Sequence, residues 1–243
     1  MIISMYMKRL ITPIFSLFVS FAGLCQIEER DGQLLSPTFP GGIVELSELP
    51  AATETLGSNY IYENWNLGSV AMMSSKAIKD VPLKYDLYQN YLEISTESGT
   101  KVLYSENIRY FEWLNTIAQK ELYYNVAEFN LLENELDGFF EIMVEGELIL
   151  ASNKEVQYVS PHYNQALDAG NAQGRYITTE SFFYIDRHKS ARKLPKKKKD
   201  FYLIFGQNAQ AIQKFMKATK FGIKHREDLT KIFLYHNTLQ PNN

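Results

Sequence analysis

The sequence has little cysteine, little histidine and none of the short motifs that mark common catalytic sites. Cys25 is the one cysteine, and no two of the four histidines stand three or four residues apart. A disulfide framework and a cysteine-based metal site are therefore excluded. The motifs G-x-S-x-G and H-E-x-x-H, which mark a serine nucleophile or a helical zinc pair, do not occur. We expect a protein with no enzymatic activity, no metal and no cofactor.

Positive charge and long apolar runs are also scarce. The 243 residues include 25 basic and 28 acidic ones, and the formal net charge is −3. A general nucleic-acid-binding protein is usually basic, so nucleic acid is not an expected partner. Beyond the N-terminal run described next, no stretch reaches the roughly 20 apolar residues that span a membrane. The sequence predicts no transmembrane segment in the mature chain.

Residues 1–25 have the pattern of a secretory signal peptide. Two basic residues precede a nearly continuous apolar run from Leu10 to Leu24. Cleavage after Cys25 would leave Gln26 as the first mature residue. The alternative is a lipid anchor on Cys25, although Leu24 departs from the small residue that a lipobox has before its cysteine. The expected location is the periplasm or the outer membrane surface.

Residues 57–190 contain a series of short alternating runs that predict an antiparallel β-rich domain. The clearest is Val81–Ile94, in which Leu83 and Tyr85 alternate with charged residues until Gln89-Asn90 breaks the run. Alternation on both sides of a turn signal indicates two half-buried strands. Because such runs follow one another with few helical stretches between them, we expect a β-meander arranged as a sandwich or an open barrel.

The two ends of the chain differ from this domain. Residues 26–56 are rich in Pro and Gly and predict an extended or flexible segment, with Ile43–Leu46 a candidate short strand. Residues 191–243 begin with a basic connector that runs to Lys199, after which apolar residues recur with the period of a helix. Asp200 is the expected N-cap of the first helix. The predicted class is α+β, with the C-terminal helices packing on the β-layer.

Three surface features are candidates for contact with a partner or a ligand. One pair of tyrosines flanks the turn of the predicted central hairpin, and a second pair of residues lies in the long irregular segment 160–174. The third feature is a lysine run, which suits anionic head groups, an acidic protein or simply solvent. The candidate residues are Tyr88, Tyr91, His162, Tyr163, Lys196, Lys197, Lys198 and Lys199.

Closely spaced carboxylates are the remaining candidates for chemistry. Glu141, Glu145 and Glu147 alternate along a predicted strand, which is also the pattern of a solvent-exposed strand face. Two carboxylates act as acid and base when they are held about 5–9 Å apart in different environments. An unrecognised hydrolase would therefore gather Glu141, Glu145 or His162 in one polar cleft.

Three sets of residues carry a resemblance to a known group of proteins. They are Gly57, Tyr60 and Trp65; Val81–Tyr88 with Leu92-Glu93; and Lys197–Asp200, Glu227–Leu229 and Tyr235–Leu239. On these residues the chain resembles a family of uncharacterised exported proteins of Bacteroidota. The resemblance implies a secreted or periplasmic β-rich protein with a helical tail, and it supplies no activity and no catalytic residue.

The sequence as a whole favours an exported, non-enzymatic protein of the cell envelope that acts through contact with another protein. The alternative is a periplasmic module that binds a small molecule or a lipid in an apolar pocket under the sheet. Both interpretations follow from the export pattern and from the missing catalytic motifs.

Overall fold

The computed structural model describes residues 43–45, 55–131, 136–162, 167, 169–170 and 173–239. The predicted signal peptide, Cys25 and Tyr163 lie outside these residues. The strands are β1 (Ile43–Glu45), β2 (Asn66–Met72), β3 (Ala77–Asp86), β4 (Tyr91–Thr96), β5 (Gly99–Tyr104), β6 (Ile108–Leu114), β7 (Lys120–Asn125), β8 (Asn130–Leu131), β9 (Phe139–Val144), β10 (Ile149–Val159), β11 (Arg175–Ile185) and β12 (Ser190–Lys193). The helices are α1 (Lys198–Leu203), α2 (Ala209–Thr219) and α3 (Arg226–Thr238).

All the described strands belong to one open sheet. Their order is β1-β5-β4-β3-β2-β6-β7-β9-β10-β11-β12-β8. The pairing of β12 with β8 is parallel, and the other pairs are antiparallel. Most neighbours in the sheet also follow one another in the sequence, so the predicted antiparallel meander and the α+β class are confirmed. The strands form a single sheet instead of two separate ones.

The hairpin predicted at Val81–Ile94 is formed by β3 and β4, and Asp86 holds its turn. One carboxylate oxygen of Asp86 accepts hydrogen bonds of 2.8 Å from the backbone N–H groups of Tyr88 and Gln89. Asn90 completes the turn with a φ of 56°, a left-handed conformation that asparagine tolerates better than most residues. The polar residues that break the alternation therefore build the turn itself.

One face of the first half of the sheet buries aromatic rings around Phe111. Phe111 is fully buried and stacks on Tyr123, with 4.7 Å between the ring centroids. Trp113 and Phe139 each lie 5.0 Å from the same ring in edge-on contact. Tyr85 contacts both Phe111 and Phe139, also edge-on. These rings come from β3, β6, β7 and β9, so they hold together strands that are distant in the sequence.

Residues 55–61 connect the two halves of the sheet at one end. The carbonyl of Leu56 accepts a hydrogen bond of 2.9 Å from the N–H of Tyr176, in β11. The N–H of Leu87, directly after β3, donates to the carbonyl of Asn59 at 2.7 Å. The sheet therefore curves enough for β3 and β11 to reach the same segment.

The C-terminal helices pack on β9 and β10 through a second apolar core. α3 buries Leu229, Ile232 and Phe233 on one face, in the i, i+3, i+4 spacing of an amphipathic helix. These side chains belong to the same cluster as Val144 and Leu150 of the sheet. The predicted C-terminal helical unit is thus confirmed. In the described part of the chain, no helix has the length and apolarity needed to cross a membrane.

The basic connector is shorter than the sequence predicted. β12 already takes up Ser190–Lys193, and α1 begins at Lys198, so Lys198 and Lys199 are helical. The expectation that Asp200 caps this helix was wrong, because the N-cap is Lys197 and Asp200 lies in the first turn. Lysine is a good helix former, so the lysine run does not delay the start of the helix.

The opposite face of β9–β11 carries a third apolar cluster, whose described members include no residue of α1, α2 or α3. Its buried members include Phe140, Ala151, Phe183 and Ile185. Partly buried residues from the strands and from the segment around Phe129 complete it. This face is therefore covered less completely than the face under the helices.

Replacement of Phe111 tests whether its ring is the centre of the aromatic core. Phe111→Ala should lower the free energy of unfolding by about 3–5 kcal/mol, because it leaves a cavity among four rings. Leu114→Ala, at the exposed end of the same strand, should change it by less than about 0.5 kcal/mol. Urea unfolding followed by tryptophan fluorescence measures both. If Phe111→Ala does not fold, Phe111→Leu serves in its place, and a loss equal to that of Leu114→Ala would contradict this role.

Candidate functional site

The structure places the predicted contact residues in different surroundings. Tyr88 is 45% exposed at the turn after β3, and His162 is exposed. Tyr91 was expected to be exposed as well, but it is 5% exposed, so that expectation was wrong. The reason is its register: it is the first residue of β4, it pairs with Asp86, and its ring contacts Tyr104. Burial removes Tyr91 from the candidate contact residues.

Tyr88 belongs to an exposed cluster of three tyrosines. Its ring lies 5.4 Å from the ring of Tyr176 and 6.5 Å from that of Tyr158. Tyr158 and Tyr176 are opposite each other in β10 and β11, with 5.4 Å between their rings. These separations place the three rings in contact with one another. The cluster presents an aromatic surface where the central hairpin meets β10 and β11.

A partly buried ion cluster joins α3 to the sheet. Glu141, which is 5% exposed, accepts a hydrogen bond of 2.9 Å from the ammonium of Lys154. Arg226, the first residue of α3, donates to the carboxylates of both Glu141 and Glu180. The hydroxyl of Ser152 lies 3.3 Å from Arg226 and 3.4 Å from Glu141. Two cations and two anions thus neutralise one another between helix and sheet.

The space beside this cluster is very small. Burial lowers the pKa of the Lys154 ammonium, and the charges of Glu180 and Glu121 oppose that shift. The adjoining cavity is lined by Tyr85 and Tyr123 as well as by Lys154, and its volume is about 10 Å³. That volume is enough for one water molecule. The cluster therefore joins structural elements and has no room for a substrate.

An open groove of about 290 Å³ lies on the other side of the sheet, over the third apolar cluster. Its floor is apolar. Four floor residues come from β7, β9, β10 and β11, and the fifth, Phe129, follows the turn after β7. Charged residues line its rim, on the turn after β7, on the β9–β10 loop and on the turn after β11. The floor residues are Tyr124, Phe129, Ile142, Ile149 and Ile185. The charged rim residues are Glu128, Glu145, Asp186, Arg187 and Lys189.

Three of the five rim charges are held by the protein itself. Glu128 forms ion pairs with Arg109 at 3.4 Å and with Lys189 at 4.0 Å. The carboxylate of Asp186 accepts hydrogen bonds from the backbone N–H groups of Ser190 at 3.0 Å and His188 at 2.8 Å. These hydrogen bonds hold the pKa of Asp186 below its ordinary value.

Glu145 and Arg187 are the remaining rim charges. Both are exposed, and neither side chain forms an ion pair within the part of the chain that the structure describes. The backbone carbonyl of Glu145 accepts a hydrogen bond of 2.7 Å from the side chain of Asn237, which fixes the loop against the end of α3. The rim thus offers one uncommitted negative and one uncommitted positive charge above an apolar floor.

The carboxylates and histidines do not gather into one site. Glu141 belongs to the ion cluster under α3, whereas Glu145 lines the groove. His162 is exposed and forms no ion pair with either of them among the described residues. In the same residues, no three His, Cys, Asp or Glu side chains are placed to hold a metal ion.

The sequence pattern did not predict the groove, although the strands that carry its apolar floor residues could be recognised. Ile142, Ile149 and Ile185 are apolar residues in recognisable strands. Their side chains meet only because β9, β10 and β11 are neighbours in the sheet. Arg187 and Glu145 follow or connect these strands, so their proximity to the floor depends on the strand register.

Removal of Arg226 tests the role of the ion cluster. Arg226→Met should lower the free energy of unfolding by about 1–3 kcal/mol, because it leaves the buried Glu141 with fewer partners. Lys120→Met breaks the exposed Lys120–Glu112 pair, whose atoms are 2.7 Å apart, and should leave the free energy of unfolding nearly unchanged, because water screens this pair. Urea unfolding at neutral pH measures both variants. Equal losses would show that the ion cluster does not hold α3 on the sheet.

Comparison with known proteins identifies no relative from which a function for the site could be inferred. No protein-family model, no curated protein and no solved structure matches the chain. The resemblance to exported Bacteroidota proteins therefore stays a prediction from the sequence. The groove, with its apolar floor and its two uncommitted charges, is the feature on which a function can be argued.

Proposed function

We propose that this chain is a non-enzymatic, exported binding protein of the cell envelope. Its groove binds a small zwitterion with an apolar side chain. A free hydrophobic amino acid or a short apolar peptide has this chemistry. The observation that carries the proposal is the pairing of an apolar floor with one uncommitted charge of each sign at the rim. The N-terminal pattern of a basic pair and an apolar run supports export.

The floor suits the apolar part of such a ligand. Phe129, Ile142 and Ile149 are half-buried, so a ligand that covers them removes apolar surface from water. A volume of about 290 Å³ is at the lower end of known ligand pockets, which range from about 300 to 1,000 Å³. A single amino acid or a dipeptide fits this space better than a long lipid chain does.

The rim suits the two charged groups. The guanidinium of Arg187 matches a carboxylate in shape and charge, because its N–H groups can donate two parallel hydrogen bonds. Glu145 is available for an ammonium group. Glu128 is paired with Arg109 and Lys189, so its charge adds little repulsion toward the ligand carboxylate. A ligand with both groups therefore neutralises both free charges.

Contact with another protein is the second candidate, and the exposed tyrosine cluster favours it. Tyr88 and Tyr158 are 45% and 37% exposed, and Leu56 close by is 55% exposed. Tyrosine is enriched at protein interfaces because it combines a large apolar ring with a polar hydroxyl. This surface lies apart from the groove lining, so the two candidates use different residues.

Calorimetric titration with three related compounds tests the groove. L-Phenylalanine should bind, whereas 3-phenylpropionate, which lacks the ammonium, and 2-phenylethylamine, which lacks the carboxylate, should each bind at least about tenfold more weakly, or about 1.4 kcal/mol. Arg187→Met should reduce the affinity for L-phenylalanine about tenfold and remove its advantage over 2-phenylethylamine. Glu145→Gln should remove the advantage over 3-phenylpropionate in the same way.

The matched control is Arg175→Met, which removes an exposed arginine at the other end of β11. It should leave the affinity unchanged. Thermal unfolding of each variant verifies that the fold is kept. Failure of L-phenylalanine, L-leucine and L-tryptophan to bind, or equal weakening by Arg175→Met and Arg187→Met, would contradict the proposal.

A further inference from the structure

The strongest local concentration of charge on the protein lies between the sheet and α1. Six of the eight residues 192–199 are Lys or Arg and none is Asp or Glu, although the whole chain has a net charge of −3. All six cations are exposed. We call this segment the basic strip; its cations are Arg192, Lys193, Lys196, Lys197, Lys198 and Lys199.

The lysines of the basic strip have exposed side chains. In the described part of the chain, neither Lys193 nor any of Lys196–Lys199 forms an ion pair with a carboxylate. Lys198 and Lys199 also lie in the first turn of α1, where the helix dipole is positive and cations are unfavourable. Their position therefore points to an anionic group outside the protein.

An exposed apolar residue stands beside these lysines. Leu203 is 68% exposed and lies four residues after Lys199, so the two side chains share the outer face of α1. Phe201, on the inner face, is fully buried in the core of the helical unit and fixes the orientation of α1. The outer face thus combines cations with a single apolar side chain.

We infer that the basic strip docks the protein on an anionic phospholipid bilayer, with the lysines at the head groups and Leu203 at the boundary of the acyl chains. Clustered lysines are attracted to a negatively charged membrane surface, and an apolar residue among them adds contact with the interface. Lysine carries a compact charge without a fixed planar geometry, which suits a diffuse layer of head groups better than one shaped acidic site. This surface is separate from the groove proposed to bind a ligand.

Co-sedimentation with lipid vesicles tests the inference on the full chain. The protein should bind vesicles of phosphatidylcholine and phosphatidylglycerol at least about tenfold more strongly than vesicles of phosphatidylcholine alone. Raising NaCl from about 50 mM to about 500 mM should remove most of this difference, because salt screens the attraction. Inorganic phosphate at the same ionic strength as the NaCl should displace no more protein than NaCl does, which distinguishes a charged surface from a site for a single phosphate.

Two variants with the same change in net charge separate the basic strip from charge in general. Replacing Lys196–Lys199 by Gln should reduce binding to the anionic vesicles at least about tenfold. Replacing the exposed Lys76, Lys79, Lys214 and Lys217 by Gln should reduce it less than about twofold. Both variants keep the N-terminal apolar run, so any binding through that run is equal in the two.

Leu203→Ser isolates the apolar contribution. It should weaken binding to anionic vesicles about threefold and leave the salt dependence unchanged, because it removes no charge. Equal binding to neutral and anionic vesicles, no binding to either, or equal losses in the two quadruple variants would each overturn the inference. Circular dichroism verifies that each variant keeps its helices and strands.

Discussion

A single large sheet has two faces to bury, and this chain has only one helical unit in its described part with which to cover them. The first half of the sheet curves, so that aromatic side chains on one face pack against one another around Phe111. Residues 55–61 hydrogen-bond to strands of both halves and hold this curvature. The second half places the same face under α2 and α3, which Arg226 joins to the sheet. Within the part of the chain that the structure describes, none of α1, α2 and α3 lies over the other face of β9–β11, and there the groove opens. The proposed binding site is thus a consequence of how the sheet is covered.

Elements with a local signal could be predicted from the sequence. The Val81–Ile94 hairpin follows from period-two alternation around a polar turn, and the helical tail follows from apolar residues at a spacing of 3.6. Asp86 shows why the hairpin signal is strong, because the residues that interrupt the alternation also supply the hydrogen bonds of the turn. For the same reason the α+β class was predictable from pattern alone.

Features that depend on long-range register could not be predicted in this way. Tyr91 looks like a turn residue, but its pairing with Asp86 turns its ring toward Tyr104 and buries it. Arg226 and Glu141 are 85 residues apart in sequence and meet only when α3 lies on β9 and β10. Glu145 and Arg187 line the same groove for the same reason. No local pattern carries such a contact, because it follows from the order of strands in the sheet.

The most direct test of this account is a crystal structure of the protein grown with saturating L-phenylalanine. The account predicts density for the ligand ring against Phe129, Ile142 and Ile149, with the carboxylate within hydrogen-bonding distance of Arg187 and the ammonium group toward Glu145. An empty groove, or a ligand bound elsewhere or with its two charged groups reversed, would contradict it.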